Sequence, residues 1–310
     1  MAESSQPQIF LSTMRAGPHQ RVIALCMVAV LLIAFVVSAP FASRPLGRSA
    51  AFIPSYETAL FVEDLITAAL LYAQFTILRY RSLLLLATAY LFTALIVVPH
   101  MLVFPGLFAP TGLLGAGVGS AAWIYVFWHV GFPVALIAYA LEHPADRNMR
   151  VASGKTHREI AACALGALAL VAVLTWIATA GEPLLPRVMD NATERASRFP
   201  YLTGSVWLLT AVALATLWTR RRQSVIDLWL AVVLFVWLCE IALSVVLAPS
   251  RFSVGFYLGR LYGIIAASIV LIGLLSETTV LYAQLARAIA TERRERERRF
   301  AEMEAMLSHL

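Results

Sequence analysis

Residues 56–79 read YETALFVEDLITAALLYAQFTILR. The stretch is long and apolar enough to cross a bilayer, because roughly 20 residues rising ~1.5 Å each fill the hydrocarbon core. It nevertheless carries Glu57, Glu63 and Asp64. Glu57, Asp64, Thr67, Leu71 and Gln74 recur at helical spacings and form one narrow stripe. Acids inside a membrane span are costly and face the bundle interior, a cavity or a partner. The stripe therefore reads either as an interior packing seam or as one wall of a site. Glu63 points about 100° away from Asp64, toward a different neighbour.

The whole chain extends this reading. Its 310 residues are 60% hydrophobic and only 14% charged, where an ordinary soluble domain is about 25% charged. Hydrophobic runs at 21–39, 56–78, 82–99, 119–141, 159–180, 203–219, 225–247 and 255–282 each suit a membrane crossing. The fold class is an all-α integral membrane protein, a bundle of about eight transmembrane helices with a C-terminal cytoplasmic coiled-coil helix. The first run lacks a small-residue cleavage pattern and reads as a retained span.

Charge orients the bundle. Of the 24 Lys and Arg residues, 17 fall on one side of this topology and 7 on the other. The basic side is the cytoplasmic one, so both termini are expected there. The net charge of +6 belongs to basic loops rather than to nucleic-acid binding, and membrane lipid is the expected surrounding partner. Cys26, Cys163 and Cys239 lie in separate apolar runs with no paired spacing, which argues against a disulfide framework or a zinc site.

The loops at the less basic, outer side differ in kind. Residues 40–55 hold Pro40, Pro45 and Pro54 and read as a short, stiff connection. Residues 100–118 are apolar but broken by Pro105, Gly106, Pro110 and Gly112. Backbone left unpaired in lipid is not tolerated, so this loop is expected at the outer interface or folded back over the bundle. Residues 181–202 are polar and read as a solvated segment.

After the last span, Tyr282, Ala286, Ile289, Arg293, Arg296, Phe300, Met303, Leu307 and Leu310 keep one heptad phase. This predicts one continuous helix entering a parallel coiled coil, and with it a homodimer. The chain divides into a cytoplasmic segment 1–20, an eight-span membrane domain 21–282, and a signalling helix 283–310 leading to an output domain expected beyond residue 310.

Depth decides which polar groups meet. At ~1.5 Å per residue from the outer face, Glu57 sits at the rim and Asp64 ~11 Å below it. Glu240 lies ~10 Å down span seven, Arg260 ~8 Å down span eight, and Tyr125 and His129 ~9 and ~15 Å down span four. His100 ends span three. Asp64, Glu57, Glu63, His100, Tyr125, His129, Glu240 and Arg260 are thus the candidate ligand- or signal-sensing residues of the outer half. Arg260 stays charged and needs Glu240 or Asp64. The remaining acids outnumber the remaining fixed cations of that layer, which would suit a cation, a protonation switch or a ligand with donors. Near the cytoplasmic rim, Glu277 starts the transmitting face of the last helix, followed by Tyr282, Ile289, Phe300, Met303 and Leu307. His100 and His129, ~15 Å apart in depth, do not suit one bis-histidine haem. A core histidine at a helix kink is the bland reading of His129. Small-residue pairs, Ala162/Gly166 and Gly263/Ala267, serve either dimer contacts or tight packing within the bundle. No Walker loop, metal-ligand spacing or nucleophile elbow is present, so no metal, catalytic residue or cofactor is assigned.

Several stretches carry a family resemblance. The first outer loop has Pro40-Phe41-Ala42, Pro45-Leu46 and Ala51-Phe52-Ile53-Pro54 before Tyr56. Span two has Leu65-Ile66-Thr67-Ala68, and the second outer loop has Pro99-His100, Leu102 and Phe104-Pro105-Gly106-Leu107-Phe108. Span four has Phe127-Trp128-His129 and Gly131-Phe132-Pro133. Together these resemble the fourth family of bacterial membrane-associated sensor (MASE) domains over about residues 20–285. Members of that family precede histidine kinase or diguanylate cyclase output domains. The resemblance implies a non-enzymatic sensory input module in signal transduction, here of a two-component histidine kinase, with an unknown small ligand or ion. A transporter or channel, and a membrane redox protein using haem or quinone, are the competing classes. Neither an inverted repeat nor polar lining through both halves of the bundle favours transport.

Overall fold

The computed structural model describes residues 14–142, 151, 153–197, 199–219, 224–248 and 250–308. These residues contain eight helices long and apolar enough to cross a membrane. They are α1 (Pro18–Ser38), α2 (Phe52–Leu78), α3 (Arg81–Leu102), α4 (Ser120–Leu141), α5 (Thr156–Ala178), α6 (Phe199–Trp218), α7 (Val225–Ile241) and α8 (Val254–Ser308). The protein is an all-helical, multi-pass membrane protein, as the hydrophobic runs predict. Some of the heptad residues, Leu307 among them, have side chains outside the described set, and so do the basic clusters 147–150 and 220–222.

Local chemistry sets the helix ends. α2 begins at Phe52 and places Pro54 in its first turn, where a missing N–H forfeits no helical bond. It ends at Arg79 in the left-handed conformation, φ 59°. α7 starts with a capping box. Asp227 N donates to Ser224 Oγ at 3.2 Å, and Ser224 N donates to Asp227 Oδ2 at 2.9 Å. Tyr139 of α4 also donates to Asp227, at 2.7 Å. The acid at the inner rim of span seven is therefore a structural cap.

Six helices close a ring in the order α2–α3–α4–α6–α7–α8, with α8 returning to α2. α1 packs outside the ring on α7, and α5 outside it on α3 and α4. Burial follows this plan. In α7, 72% of the span is enclosed, against 11% in α1 and in α5, so the two outer helices present most of their surface to lipid or a partner. Lipid is as apolar as leucine, so close contact rather than water exclusion holds such helices together. Small residues sit where the ring is tightest. A Cβ on Gly131 of α4 would come within 2.4 Å of the Phe92 ring of α3, and one on Gly263 of α8 within 2.7 Å of the Tyr56 hydroxyl of α2. The Gly263/Ala267 pair is thus spent inside the bundle. Gly166 of α5 has nothing within 4 Å of such a Cβ, so the Ala162/Gly166 pair faces outward.

The connections at the outer end are packed rather than loose. Residues 42–49 run against the α7–α8 connection: Leu46 N donates to Phe252 O at 2.8 Å and Val254 N to Arg44 O at 2.9 Å. Residues 103–119 fold back over the ring as expected, with Val103 and Phe104 buried. Gly112, at φ +97°, allows this: a Cβ there would lie 2.3 Å from Val103 O. The polar segment 181–197 is exposed along much of its length, as the solvated reading expects, but it is pinned to the bundle at several points. Val188 and Met189 are each only 3% exposed, and Glu182 accepts from Gly119 N at 2.7 Å and from Ser120 Oγ at 2.7 Å. Glu182 thus ties the segment to the start of α4, and the segment carries Arg195 down onto the bundle.

Candidate functional site

Glu240 is the hub of the outer half. It lies on the last turn of α7, before the helix loosens into a π-helical turn at Ala242–Val246. Its carboxylate meets His129 Nε2 at 3.0 Å, Tyr125 Oη at 3.2 and 3.3 Å, and Ser244 Oγ at 3.2 Å. Arg260 Nη1 of α8 stands 3.8 Å away. Three ring helices, α4, α7 and α8, thus converge on one buried carboxylate. Tyr125 and His129, one turn apart on α4, stack with ring centroids 3.9 Å apart.

The His129 geometry carries a proton requirement. Its Nδ1 lies 2.9 Å from the Tyr125 carbonyl oxygen, which accepts only, so Nδ1 bears a hydrogen. Nε2 then faces a carboxylate oxygen. Two bare lone pairs would repel, so the contact holds a proton, on either the imidazole or the glutamate. His129 is a fixed member of the cluster. Trp128 and Trp237 flank its ring, at centroid distances of 4.9 and 4.6 Å.

His100 forms a second pair. Its Nδ1 is 2.6 Å from Glu57 Oε1, with both side chains buried. The rim acid of α2 is therefore held by the last turn of α3. His100 and His129 lie closer in depth than the ~15 Å that counting residues along two straight helices implies, since both rings lie against Trp128, at 6.2 and 4.9 Å. The α3 helix runs on to Leu102 and the apolar loop stacks above it, so His100 is below the rim. Each imidazole is nevertheless engaged by its own glutamate.

The remaining stripe residues face different neighbours. Asp64 does not reach Arg260. It lines a small cavity with Tyr90 and Thr93 of α3 on one side and Trp128 and Glu240 on the other. Tyr90 Oη and Trp128 Nε1 are buried there without a hydrogen-bond acceptor among the described residues. Glu63, rotated away from Asp64, accepts from Ser268 Oγ of α8 at 2.9 Å. Gln74 donates to Glu277 Oε2 of α8 at 2.9 Å. The stripe is thus a seam against α3 and α8, with polar ties to α8 at two depths. Along the emerging part of α8, Tyr282, Ile289, Phe300 and Met303 are exposed.

Two arginines that count along the chain only as outer-side charges reach the bundle itself. Arg195 reaches from the 181–197 segment and donates to the carbonyls of Ser244 at 2.6 Å and Val245 at 3.0 Å, and also to Ala248 O. It caps the π-helical turn that follows Glu240. Arg251 is buried, lies 5.0 Å over the Phe104 ring and donates to Ala192 O at 2.8 Å. Burial, then the neighbouring Arg195 and Arg260, push its guanidinium down to about 9. Burial and Arg260 push Arg195 down to about 10. Both remain cationic at neutral pH. The expected surplus of acids does not extend to every part of this layer: Arg195 and Arg251 join Arg260 around one cavity that no carboxylate lines among the described residues. The available signal was two arginines in outer segments beside apolar residues, Val188-Met189 and Phe252.

No group of His, Cys, Asp and Glu suited to a metal ion occurs among the described residues. No curated protein and no solved structure matches this chain. The sequence matches over residues 48–282 the family model MASE4, described as a membrane-associated sensor, integral membrane domain. That span takes in the ring helices and the whole polar cluster, and the chain belongs to this family of membrane sensor domains.

Proposed function

We propose that the chain is the input domain of a bacterial sensor histidine kinase. A change in the outer-half cluster is passed along α8 to a cytoplasmic output. The observation that carries this reading is the continuity of α8. One unbroken helix bears Arg260 beside Glu240, Ser268 and Glu277 against α2, and then the exposed heptad positions Tyr282, Ile289, Phe300 and Met303. A displacement or rotation of Arg260 is mechanically coupled to those positions because a helix is stiff over this length. The basic loops favour cytoplasmic termini in the inner membrane, and the exposed heptad face favours a parallel homodimer.

The test is a phase experiment on the full-length protein carrying its output domain. One residue inserted after Arg287 rotates everything downstream by about 100°, whereas seven residues restore the heptad face. Autophosphorylation in membranes is expected to change state with one inserted residue and to return with seven. Output indifferent to both insertions would remove α8 as the signal path. Asp64→Asn and Arg260→Gln are likewise expected to alter output while leaving membrane insertion intact.

A further inference from the structure

Arg195, Arg251 and Arg260 surround one small cavity beneath the outer segments, with His100, Tyr125 and Phe256 completing its wall. Arg251 and Arg260 are each more than nine-tenths buried. A buried cation without a counter-charge is strongly unfavourable, and this cluster is short of anions. Glu240 already shares a proton contact with His129, and Glu57 is held by His100. Even with Glu57 counted as fully ionised, three guanidiniums face at most one uncommitted negative charge. Arg260 Nη1 is buried with no hydrogen-bond acceptor among the described residues, its 3.8 Å approach to Glu240 being an ion pair rather than a hydrogen bond.

We propose that this cavity binds a small planar oxyanion, a carboxylate or an ion of the same shape, reached from the outer end of the bundle. The guanidinium fork matches two coplanar oxygens better than a single spherical ion. The aromatic rings that floor Arg260, Phe256 at 4.2 Å and Tyr125 at 5.4 Å, hold its plane in place. The cavity leaves about 30 Å³ for the centres of water-sized occupants. At roughly 10–15 Å³ for each such position, that is about two to three water-sized positions, the bulk of one small planar ion. It excludes a lipid headgroup with its glycerol. An anion seated there would draw α8, through Arg260, toward the two loop arginines. The inference rests on reading the outer cluster as the sensory site, but its test is independent of output.

The whole 310-residue chain, purified in a neutral detergent at pH 7, is titrated with acetate and with nitrate by calorimetry, and chloride serves as the spherical comparator. Acetate and nitrate are expected to bind, and chloride at least tenfold more weakly. Arg251→Gln should weaken binding tenfold or more. Arg251→Lys, which keeps the charge and loses the fork, should weaken it by less. Arg187→Gln, at an exposed arginine of the 181–197 segment that also carries Arg195, should leave it within twofold. Should Arg251→Gln fail to fold, the wild-type chain still decides the question. Acetate is expected to slow phenylglyoxal modification of Arg195 and Arg251, mapped by mass spectrometry, and to leave Arg187 unaffected. Absence of heat with both acetate and nitrate overturns the proposal, as does binding equal in wild type and Arg251→Gln, or chloride binding as tightly as acetate. Binding with no effect on kinase output would leave this site standing and remove only its sensory link.

Discussion

Gln74 of α2 donates to Glu277 of α8 at 2.9 Å, with both side chains buried near the inner end of the bundle. Together with Ser268 on Glu63 and Tyr56 against Gly263, it ties the two helices at three depths. Any movement of α8 therefore drags or breaks this seam. Gln74→Leu removes the donor while keeping the volume, and is expected to lower stability by about 1 kcal/mol, the usual net value of one such bond. The unfolding midpoint in detergent measures this, and a midpoint equal to wild type would mean that the bond contributes nothing.

Breaking the Glu240 hub should cost far more. Glu240→Ala leaves Arg260 with no carboxylate nearby and removes the acceptor of Tyr125, Ser244 and the His129 proton. Loss of one partner of a buried pair costs about 3–5 kcal/mol. Removing Arg260 as well eliminates the stranded cation, so the double variant Glu240→Ala/Arg260→Ala is expected to be destabilised by at least about 1 kcal/mol less than the sum of the singles. Strict additivity in a double-mutant cycle would show that the two side chains do not interact.

At Gly263 the expected effect is steric and separable. An added Cβ would approach the Tyr56 hydroxyl to 2.7 Å, so Gly263→Ala is expected to cost about 1–3 kcal/mol through overpacking. Tyr56→Phe deletes the clashing oxygen and should recover most of that loss in the double variant. Failure to recover would place the strain elsewhere along the α2–α8 contact.

Pairing of α8 in membranes is open to direct measurement. In a background with Cys26, Cys163 and Cys239 replaced by Ala, Ile289→Cys and Ala286→Cys lie on the heptad face and should oxidise readily to dimers. Thr291→Cys, about half a turn away, should cross-link poorly. Equal cross-linking at all three positions would rule out an ordered parallel seam.

Much of the fold was legible because lipid imposes simple rules. A span must be apolar and of a certain length, its backbone must pair with itself, and its loops must be sorted by charge. The eight helices follow from these rules alone. So does the inward-facing stripe Glu57, Asp64, Thr67, Leu71 and Gln74, all of it buried, because helical periodicity and the cost of a charge in lipid leave one face available. The depth count placed Glu240, Tyr125 and Arg260 in one layer, where the structure joins them.

What the sequence could not supply was the partner of each group across the bundle. It determined which residues lie on one face and at about what depth, since both depend only on position along a helix. Tertiary structure alone decided that Arg260 pairs with Glu240 and not Asp64, that Glu57 belongs to His100, and that Glu63 belongs to Ser268. Above all, it decided the sign of the outer cavity. Loops have no periodicity from which a side chain's direction can be read, so Arg195 and Arg251 looked like surface charges until the packing of Val188, Met189 and Phe104 carried them inward. A layer that counts as acidic along the chain therefore encloses, in space, a cavity lined by cations.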